Sequence, residues 1–176
     1  MKKCKMLLMI FLIITSCKST EINNAVDELL QSTHKINNPN LYRKFLFYGK
    51  EAIPVLIENI DVDRKNNAGY FNPLNSNLFS LANYDGVYAA YMIEFILSRE
   101  RLDEKNLHSE ISYVLFNRNI IIRPKDRRLL KLEDMRAIQK IYATWWQLNK
   151  NQSIEELRIE WKKRNRLLSN SIYWWY

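Results

Sequence analysis

The sequence predicts an all-α fold, a single bundle of short amphipathic helices. Apolar residues recur at intervals of three and four positions along most of the chain, which is the spacing of one face of a helix. Only three glycines and four prolines occur among 176 residues. These are too few for the turns of a β-sandwich or the phosphate loops of a nucleotide-binding α/β fold. The length and the hydrophobic content of 47% suit one domain with a substantial core.

The first residues are predicted to be a secretory signal peptide. Lys2, Lys3 and Lys5 precede an apolar run from Met6 to Ile14, and a basic start followed by a short apolar core is typical of such signals. The run has about half of the ~20 residues that a helix needs to span a bilayer. It is therefore too short to hold the protein in a membrane by itself.

The signal ends in a motif that predicts a lipid anchor. Ile14-Thr15-Ser16-Cys17 combines an aliphatic residue, two small residues and a cysteine, and it resembles the lipobox of bacterial lipoproteins. The resemblance implies that the chain is cut before Cys17, whose thiol receives a diacylglyceryl group and whose new amino terminus is acylated. We therefore expect a cleaved signal at 1–16, a lipid-anchored tether at 17–20 and one helical domain at 21–176.

Lipid anchoring determines the expected location. Two or three acyl chains hold a protein firmly on a membrane surface, so we expect the mature chain on the periplasmic face of a bacterial envelope. In a host with two membranes, the resemblance favours the outer membrane, because Lys18 and not an aspartate follows Cys17. Cys4 is removed with the signal, which leaves no cysteine for a disulfide or a thiolate metal site. Removing the three lysines of the signal leaves 24 basic against 19 acidic residues, a net charge of +5.

Three helices are predicted in the first part of the domain. The first begins after Thr20, its predicted N-cap. The second extends from Leu41 to Tyr48 and ends at Gly49. The third extends from Glu51 to Ile60, with Pro54 in its first turn, where the missing N–H breaks no helical bond. The apolar face of the first helix consists of Ile22, Ala25, Val26, Leu29 and Leu30.

A second resemblance concerns the segment from Gly49 to Ile57, in which small residues and a proline precede a leucine-rich face. It resembles the first helix of a HEAT-type repeat. The likeness occurs once, and a solenoid needs roughly three or more copies, so we interpret it as a HEAT-like helical hairpin near 41–60. With Tyr142-Ala143-Thr144-Trp145-Trp146 and the aromatic C-terminus, the mature chain also resembles uncharacterised small helical lipoproteins of Gram-negative bacteria. That resemblance supplies no catalytic residues.

The middle of the chain is predicted to hold a loop and a buried helix. The loop extends from Asp61 to Asn77, and Asp85 then caps a helix from Val87 to Leu97 that carries a single charge. A further helix begins at Asp103. The β-branched run Ile120-Ile121-Ile122 predicts a short strand near 119–123.

Two amphipathic helices complete the predicted bundle. The first extends from Glu133 to Leu148. Ser153 and Glu156 then have the spacing of a capping box, in which each side chain bonds the backbone N–H of the other residue. The apolar stripe of the last helix is Ile154, Leu157, Trp161 and Leu168.

Glu94 is the strongest candidate for chemistry because its neighbours from Tyr91 to Leu97 are all apolar or aromatic. A buried carboxylate must pair with a cation or a hydroxyl, or take up a proton. We interpret Glu94 as a buried polar anchor bonded to an Arg, a Lys or a Tyr. A catalytic acid is the alternative, although no partner carboxylate or nucleophile accompanies it.

All five tryptophans lie after residue 144. Trp145 and Trp161 have helical spacing and fit a core. Two adjacent tryptophans cannot both face one side of a helix, so Trp146, Trp174 and Trp175 are candidates for an exposed binding surface. Core packing, with the terminus folded back on the last helices, is the alternative.

The remaining sequence holds no arrangement that supports catalysis. The two histidines, His34 and His108, form no metal-binding pair, and there is no nucleophile elbow or phosphate-binding glycine loop. We expect no metal, no cofactor and no enzymatic activity. Export makes nucleic acid an unsuitable partner, so the two basic clusters are expected to face solvent or anionic lipid. An acidic protein partner is the alternative. The clusters comprise Arg118, Arg123, Lys125, Arg127, Arg128 and Lys131, then Lys162, Lys163, Arg164 and Arg166.

These observations predict a lipid-anchored cell-envelope protein with a non-catalytic, protein-binding role. An immunity-type protein, which neutralises an incoming toxin, is the specific candidate within that class. Two alternatives remain open: an envelope enzyme that uses Glu94 or the Asp61–Asn77 loop, and a structural tether between the membrane and the cell wall.

Overall fold

A computed structural model of the chain describes residues 18–31, 39–63, 65–66, 83–98, 120–122, 130–164 and 167–175. Helices dominate these residues, which confirms the predicted all-α bundle. The predicted signal peptide, Cys17, both histidines, most of the predicted loop and the helix predicted from Asp103 lie outside the described residues. None of the helices in the described ranges combines the length and the apolar character needed to cross a bilayer.

The helices follow the predicted order. In chain order they are α1 (residues 18–31), α2 (Pro39–Tyr48), a 3₁₀ turn (Gly49–Glu51), α3 (Ala52–Glu58), α4 (Gly86–Ser98), α5 (Leu132–Asn149) and α6 (Ile154–Arg164). α2 and α3 form the helical pair predicted near 41–60. Between them, Gly49 adopts a φ of +54°, the left-handed conformation that glycine takes without strain and that ends a helix.

Two boundaries differ from the sequence-based expectation. Residues 18–20 are already helical, so Thr20 lies inside α1 and most of the predicted tether belongs to the folded domain. Leu168 is buried in a turn after α6 and does not belong to its helical stripe. The spacing of apolar residues could not show whether Leu168 lies in the helix or in the turn after it. A turn that folds back on the core buries its apolar residues as well as a helix does.

Short strands join distant parts of the chain. β1 (Lys65–Asn66) pairs antiparallel with β2 (Asn83–Tyr84). β3 (Ile120–Ile122) is the strand predicted near 119–123, and it pairs antiparallel with β4 (Tyr173–Trp175) at the C-terminus. The terminus is therefore held by a strand contact as well as by the buried side chain of Tyr173.

α4 forms the centre of the core. Every residue from Gly86 to Leu97 is buried, so all faces of this helix are covered, as its nearly continuous apolar sequence predicts. α4 begins in close contact with the end of the preceding segment. A Cβ atom added at Gly86 would lie 1.8 Å from the carbonyl oxygen of Ile60, and only glycine permits this approach.

Contacts between α1 and α2 show that these helices are antiparallel. Lys18 forms an ion pair with Glu51, just after α2, whereas Glu28 near the end of α1 lies 3.2 Å from Lys44. The start of α1 therefore lies beside the end of α2.

α3 and α5 are antiparallel for a similar reason. Lys50 lies over the Trp146 ring, 6.0 Å from its centroid, and donates to the carbonyl of Gln152. About two turns after Lys50, the carbonyl of Ile57 accepts a hydrogen bond from the amide of Gln139 at 3.2 Å. The start of α3 therefore lies beside the end of α5 and the start of α6.

These directions gather the starts of α1, α3 and α6 and the ends of α2 and α5 at one end of the bundle. We call this the Lys18 end, and it comprises residues 18, 47–52 and 146–154. The opposite end includes the start of α5, where the hydroxyl of Tyr173 donates to Asp134 at 3.2 Å.

Candidate functional site

Glu94 lies on α4 and accepts hydrogen bonds from three other parts of the chain. The hydroxyl of Tyr142 donates to its Oε1 at 2.7 Å, and the backbone N–H of Leu167 donates to the same oxygen at 3.2 Å. The indole N–H of Trp161 donates to Oε2. The side chain is only 5% exposed, so these donors replace the water that a free carboxylate would bind.

The hydrogen bonds of Glu94 connect elements that lie far apart in the sequence. Tyr142 belongs to α5, Trp161 to α6 and Leu167 to the turn that follows α6. One carboxylate therefore fastens the last two helices and the C-terminal turn to the central helix. A general acid or base must reach a reacting group, whereas both oxygens of Glu94 bond to the protein itself. The geometry is that of a buried polar anchor with a tyrosine partner.

Two further carboxylates are buried: Asp85, the predicted cap in the turn before α4, and Asp134, which was not singled out from the sequence. Asp134 accepts the backbone N–H of Lys131 at 2.7 Å and the hydroxyl of Tyr173. It thereby caps the start of α5 and holds β4 against it. The capping role of Asp134 could have been predicted, because an acidic residue in the first turn of a helix stabilises the unpaired N–H groups there. Its contact with Tyr173 could not, since the two residues lie far apart in the chain.

Two side chains cap the ends of neighbouring helices. The amide of Gln139 donates to the carbonyls of Ile57 and Glu58 at the end of α3 and to the side chain of Asp61 at 2.7 Å. The guanidinium of Arg158 donates through two nitrogens to the carbonyl of Ile96, each at 3.4 Å. Both satisfy carbonyl groups that a helix leaves without partners at its C-terminus.

The capping box predicted at the start of α6 is present. The backbone N–H of Ser153 donates to Glu156 at 2.7 Å, and the N–H of Glu156 donates to the Ser153 hydroxyl at 3.2 Å. The bond from the Ser153 backbone, helped by its hydroxyl and by nearby Lys50, lowers the pKa of Glu156. Elsewhere in the core, burial raises the pKa of the Tyr42 hydroxyl far above its usual range, with Tyr91 and Tyr88 adding to the effect.

The predicted binding tryptophans belong to two elements, α5 and β4. Trp146 is half-buried near the Lys18 end, beside the fully packed Trp145. Trp174 and Trp175 belong to β4, which lies at the opposite end, and their side chains are outside the described part of the structure. Twelve residues of α5 separate Asp134 from Trp146, a rise of about 18 Å.

Trp145 has an unusual polar atom. Its indole N–H is buried, and it has no hydrogen-bond partner within the described part of the chain. The neighbouring Asn149 uses its amide to donate to the Trp145 carbonyl at 2.7 Å and not to the ring. The ring therefore contributes to the core chiefly through its apolar surface.

The Lys18 end carries the most exposed apolar side chains of the described residues. Phe47 is 79% exposed near the end of α2, and Leu148 is 75% exposed near the end of α5. Two further large apolar side chains are exposed elsewhere, Ile159 on α6 and Ile172 before β4. Single exposed apolar residues are common, but two at one end of a small domain indicate a surface that contacts another molecule or a membrane.

The remaining predicted residues are distributed as follows. Lys162, Lys163 and Arg164 are exposed at the end of α6, where Arg164 lies 2.7 Å from Glu160. Of the other basic cluster, Lys131 is exposed before α5 and the rest lies outside the described ranges. Among the described residues, no three His, Cys, Asp or Glu side chains are grouped in a way that could hold a metal ion. Comparisons of the chain with protein-family models, curated proteins and solved structures found no match.

Proposed function

We propose that this protein is a lipid-anchored component of a bacterial cell envelope that acts by binding another protein and not by catalysis. The anchor is supported by the lipobox-like sequence Ile14-Thr15-Ser16-Cys17 behind a short apolar run. Since residue 18 is already helical, acyl chains on Cys17 would hold the folded domain directly against the membrane.

The observation that carries the non-catalytic role is the hydrogen bonding of Glu94. Its buried carboxylate is the residue that the sequence recommends most strongly as a catalytic acid. The donors on Tyr142, Trp161 and Leu167 engage both of its oxygens. This supports a structural role for Glu94 and favours contact with a partner over catalysis as the function.

The opposite end from Lys18 is the surface that we assign to the partner. The acyl chains would turn this end away from the membrane. It presents Ile172, which is 58% exposed, directly before the tryptophan-containing strand β4. Exposed apolar and aromatic residues are the side chains that contribute most to protein interfaces. An immunity-type role, in which the partner is a toxin that enters the envelope, is the specific form of this proposal.

Lipid anchoring is tested with the substitution Cys17→Ala and a clickable fatty acid. The unsubstituted protein should be labelled and should fractionate with membranes, whereas C17A should lose both properties. Cys4→Ala is the matched control, because it removes the other cysteine and should leave labelling intact. Labelling of C17A to the original extent would contradict the anchor.

Partner binding is tested by affinity capture of the full chain from envelope extracts with and without Ile172→Glu. A charge on the proposed surface should abolish capture of the partner, while Ile159→Glu on α6 should not. A captured toxin whose activity the protein neutralises would establish the immunity role. Equal capture by both variants would contradict the proposed surface.

A further inference from the structure

The Lys18 end is the part of the domain closest to the predicted lipid anchor. Lys18 immediately follows Cys17, and consecutive Cα atoms lie about 3.8 Å apart. Ile22 and Val26 fix α1 in the bundle because both are buried in the core. The exposed ion pair of Lys18 with Glu51 in the 3₁₀ turn places the start of α1 at this end. Acyl chains on Cys17 would therefore enter the bilayer beside residues 47–52.

The side chains around this point suit the boundary between water and lipid. Phe47 and Leu148 are the most exposed large apolar residues in the described ranges. The half-buried Tyr48 packs edge-on against Phe47, with ring centroids 6.0 Å apart. The half-buried Trp146 lies beneath the ammonium of Lys50. Aromatic rings with a polar tip and flexible lysines are the side chains found most often at membrane interfaces.

Charge alone does not explain an attraction between this end and lipid. Its cations are Lys18, Lys50 and Lys150, and the anions within it or in the adjoining turns are Glu21, Glu51, Glu155 and Glu156. These charges leave no basic surplus, which a contact that depends on anionic lipid needs. The exposed basic residues of α6 lie at its other end, about 15 Å along the helix. Any lipid contact at the Lys18 end is therefore apolar in origin.

We propose that the Lys18 end rests on the membrane, with Phe47 and Leu148 inserted between the lipid headgroups. This orientation rests on the proposed anchoring through Cys17. It deepens that proposal, because the domain would have a fixed face towards the bilayer in addition to a tether. The contact adds apolar attachment to the acyl chains and holds Ile172 and β4 away from the lipid, where a partner can reach them.

The test uses the full chain, processed by its host, purified in detergent and reconstituted into phosphatidylcholine vesicles. Three separate variants, Phe47→Cys, Leu148→Cys and Ile172→Cys, each carry a polarity-sensitive NBD fluorophore. Cys17 is blocked by its lipid and Cys4 is removed, so the introduced thiol alone reacts. Ile172 is the matched control, because it is exposed and apolar but lies about 20 Å from Leu148, judged from the rise of α5 between the two ends.

We expect NBD emission at positions 47 and 148 to increase several-fold on reconstitution and to be quenched by nitroxide-labelled lipids. Emission at position 172 should change little. Adding phosphatidylglycerol should not strengthen the signals at 47 and 148, since the contact is apolar. Responses equal to that at 172, or responses that require anionic lipid, would overturn the orientation.

The same samples distinguish this inference from the anchor on which it rests. Mass spectrometry of each variant reports whether Cys17 carries acyl chains. Acylated protein that floats with the vesicles but gives equal signals at all three positions overturns only the orientation. Protein without acyl chains, which does not float with the vesicles, overturns the anchor and the orientation together.

Discussion

Replacing Glu94 with glutamine is the most informative single change, because it keeps the shape of the side chain and removes one acceptor oxygen. The amide carbonyl can take the place of Oε1 and keep the bonds from Tyr142 and Leu167. The amide NH₂ then takes the place of Oε2. It meets the indole N–H of Trp161, so two donors face each other where a donor and an acceptor were paired.

The expected cost follows from that single mismatch. A hydrogen bond to a charged group contributes about 1.5–3 kcal/mol, and a buried donor left without an acceptor costs a similar amount. Trp161 is only half-buried, so water can relieve part of the loss. We expect Glu94→Gln to lower the free energy of unfolding by about 2–3 kcal/mol. For a domain of this size, that corresponds to a decrease in Tm of roughly 5–10 °C.

Urea unfolding, followed by tryptophan fluorescence, measures the change. The matched control is Trp161→Phe, which removes the donor that the glutamine would oppose. In the Trp161→Phe background, Glu94→Gln should cost at least about 1 kcal/mol less, because the facing N–H is gone. Such a double-mutant cycle isolates the interaction between the two side chains from their separate effects.

Two results would refute this reasoning. A cost of Glu94→Gln below about 0.5 kcal/mol would show that the carboxylate is not required to hold the three donors. Additive effects of Glu94→Gln and Trp161→Phe would show that the two residues do not interact in the folded protein. A variant with unchanged stability and no biological activity would favour the alternative in which Glu94 is catalytic.

Four further predictions concern the backbone contacts and the α6 cap. Gly86→Ala should destabilise the protein by about 3 kcal/mol in urea unfolding, because the new Cβ would lie 1.8 Å from the Ile60 carbonyl oxygen. Gly49→Ala, whose Cβ meets no atom within 4 Å, should cost only the ~1–2 kcal/mol of a left-handed alanine. Ser153→Ala should lower the free energy of unfolding by about 1 kcal/mol through loss of the N-cap. Ser153→Asp should retain most of that stability. An alanine variant as stable as the unsubstituted protein would contradict the capping geometry. Because the folded protein lowers the pKa of Glu156 below its ordinary 4.5, this carboxylate stabilises the fold above that pH and stops doing so as the pH falls through the lowered value. The Tm difference between the unsubstituted protein and Glu156→Gln should therefore shrink in acid, and a difference independent of pH would contradict the assignment.

Local residue choices were sufficient for most helix boundaries. Gly49 ends α2 because a left-handed residue cannot continue a helix, and this depends on its own φ angle and not on distant contacts. The capping box of α6 is equally local, since Ser153 and Glu156 are three residues apart. The boundary at Thr20 was wrong because threonine is acceptable both at a cap and within a helix. The preference of one residue could not decide between the two positions.

The carboxylate anchor was predictable only in part. The apolar neighbours of Glu94 indicate that it is buried and that it needs a partner, because burial of an unpaired charge is costly. They cannot indicate which partner, since Tyr142, Trp161 and Leu167 lie 48 to 73 positions away in the chain. Asp134 and Tyr173 present the same difficulty. Their contact depends on the path of the C-terminus, which no local pattern encodes.

The sequence by itself determined that the chain forms an all-α bundle, where most of its helices begin and end, and that Glu94 lies in the core. These features depend on periodicity, capping and the cost of burial, all of which act over a few residues. Only the tertiary structure decided that Trp146 and β4 lie at opposite ends and that Phe47 and Leu148 share the end where Lys18 begins the described chain. The directions of the helices produce these arrangements, because antiparallel packing brings together residues that the sequence keeps far apart.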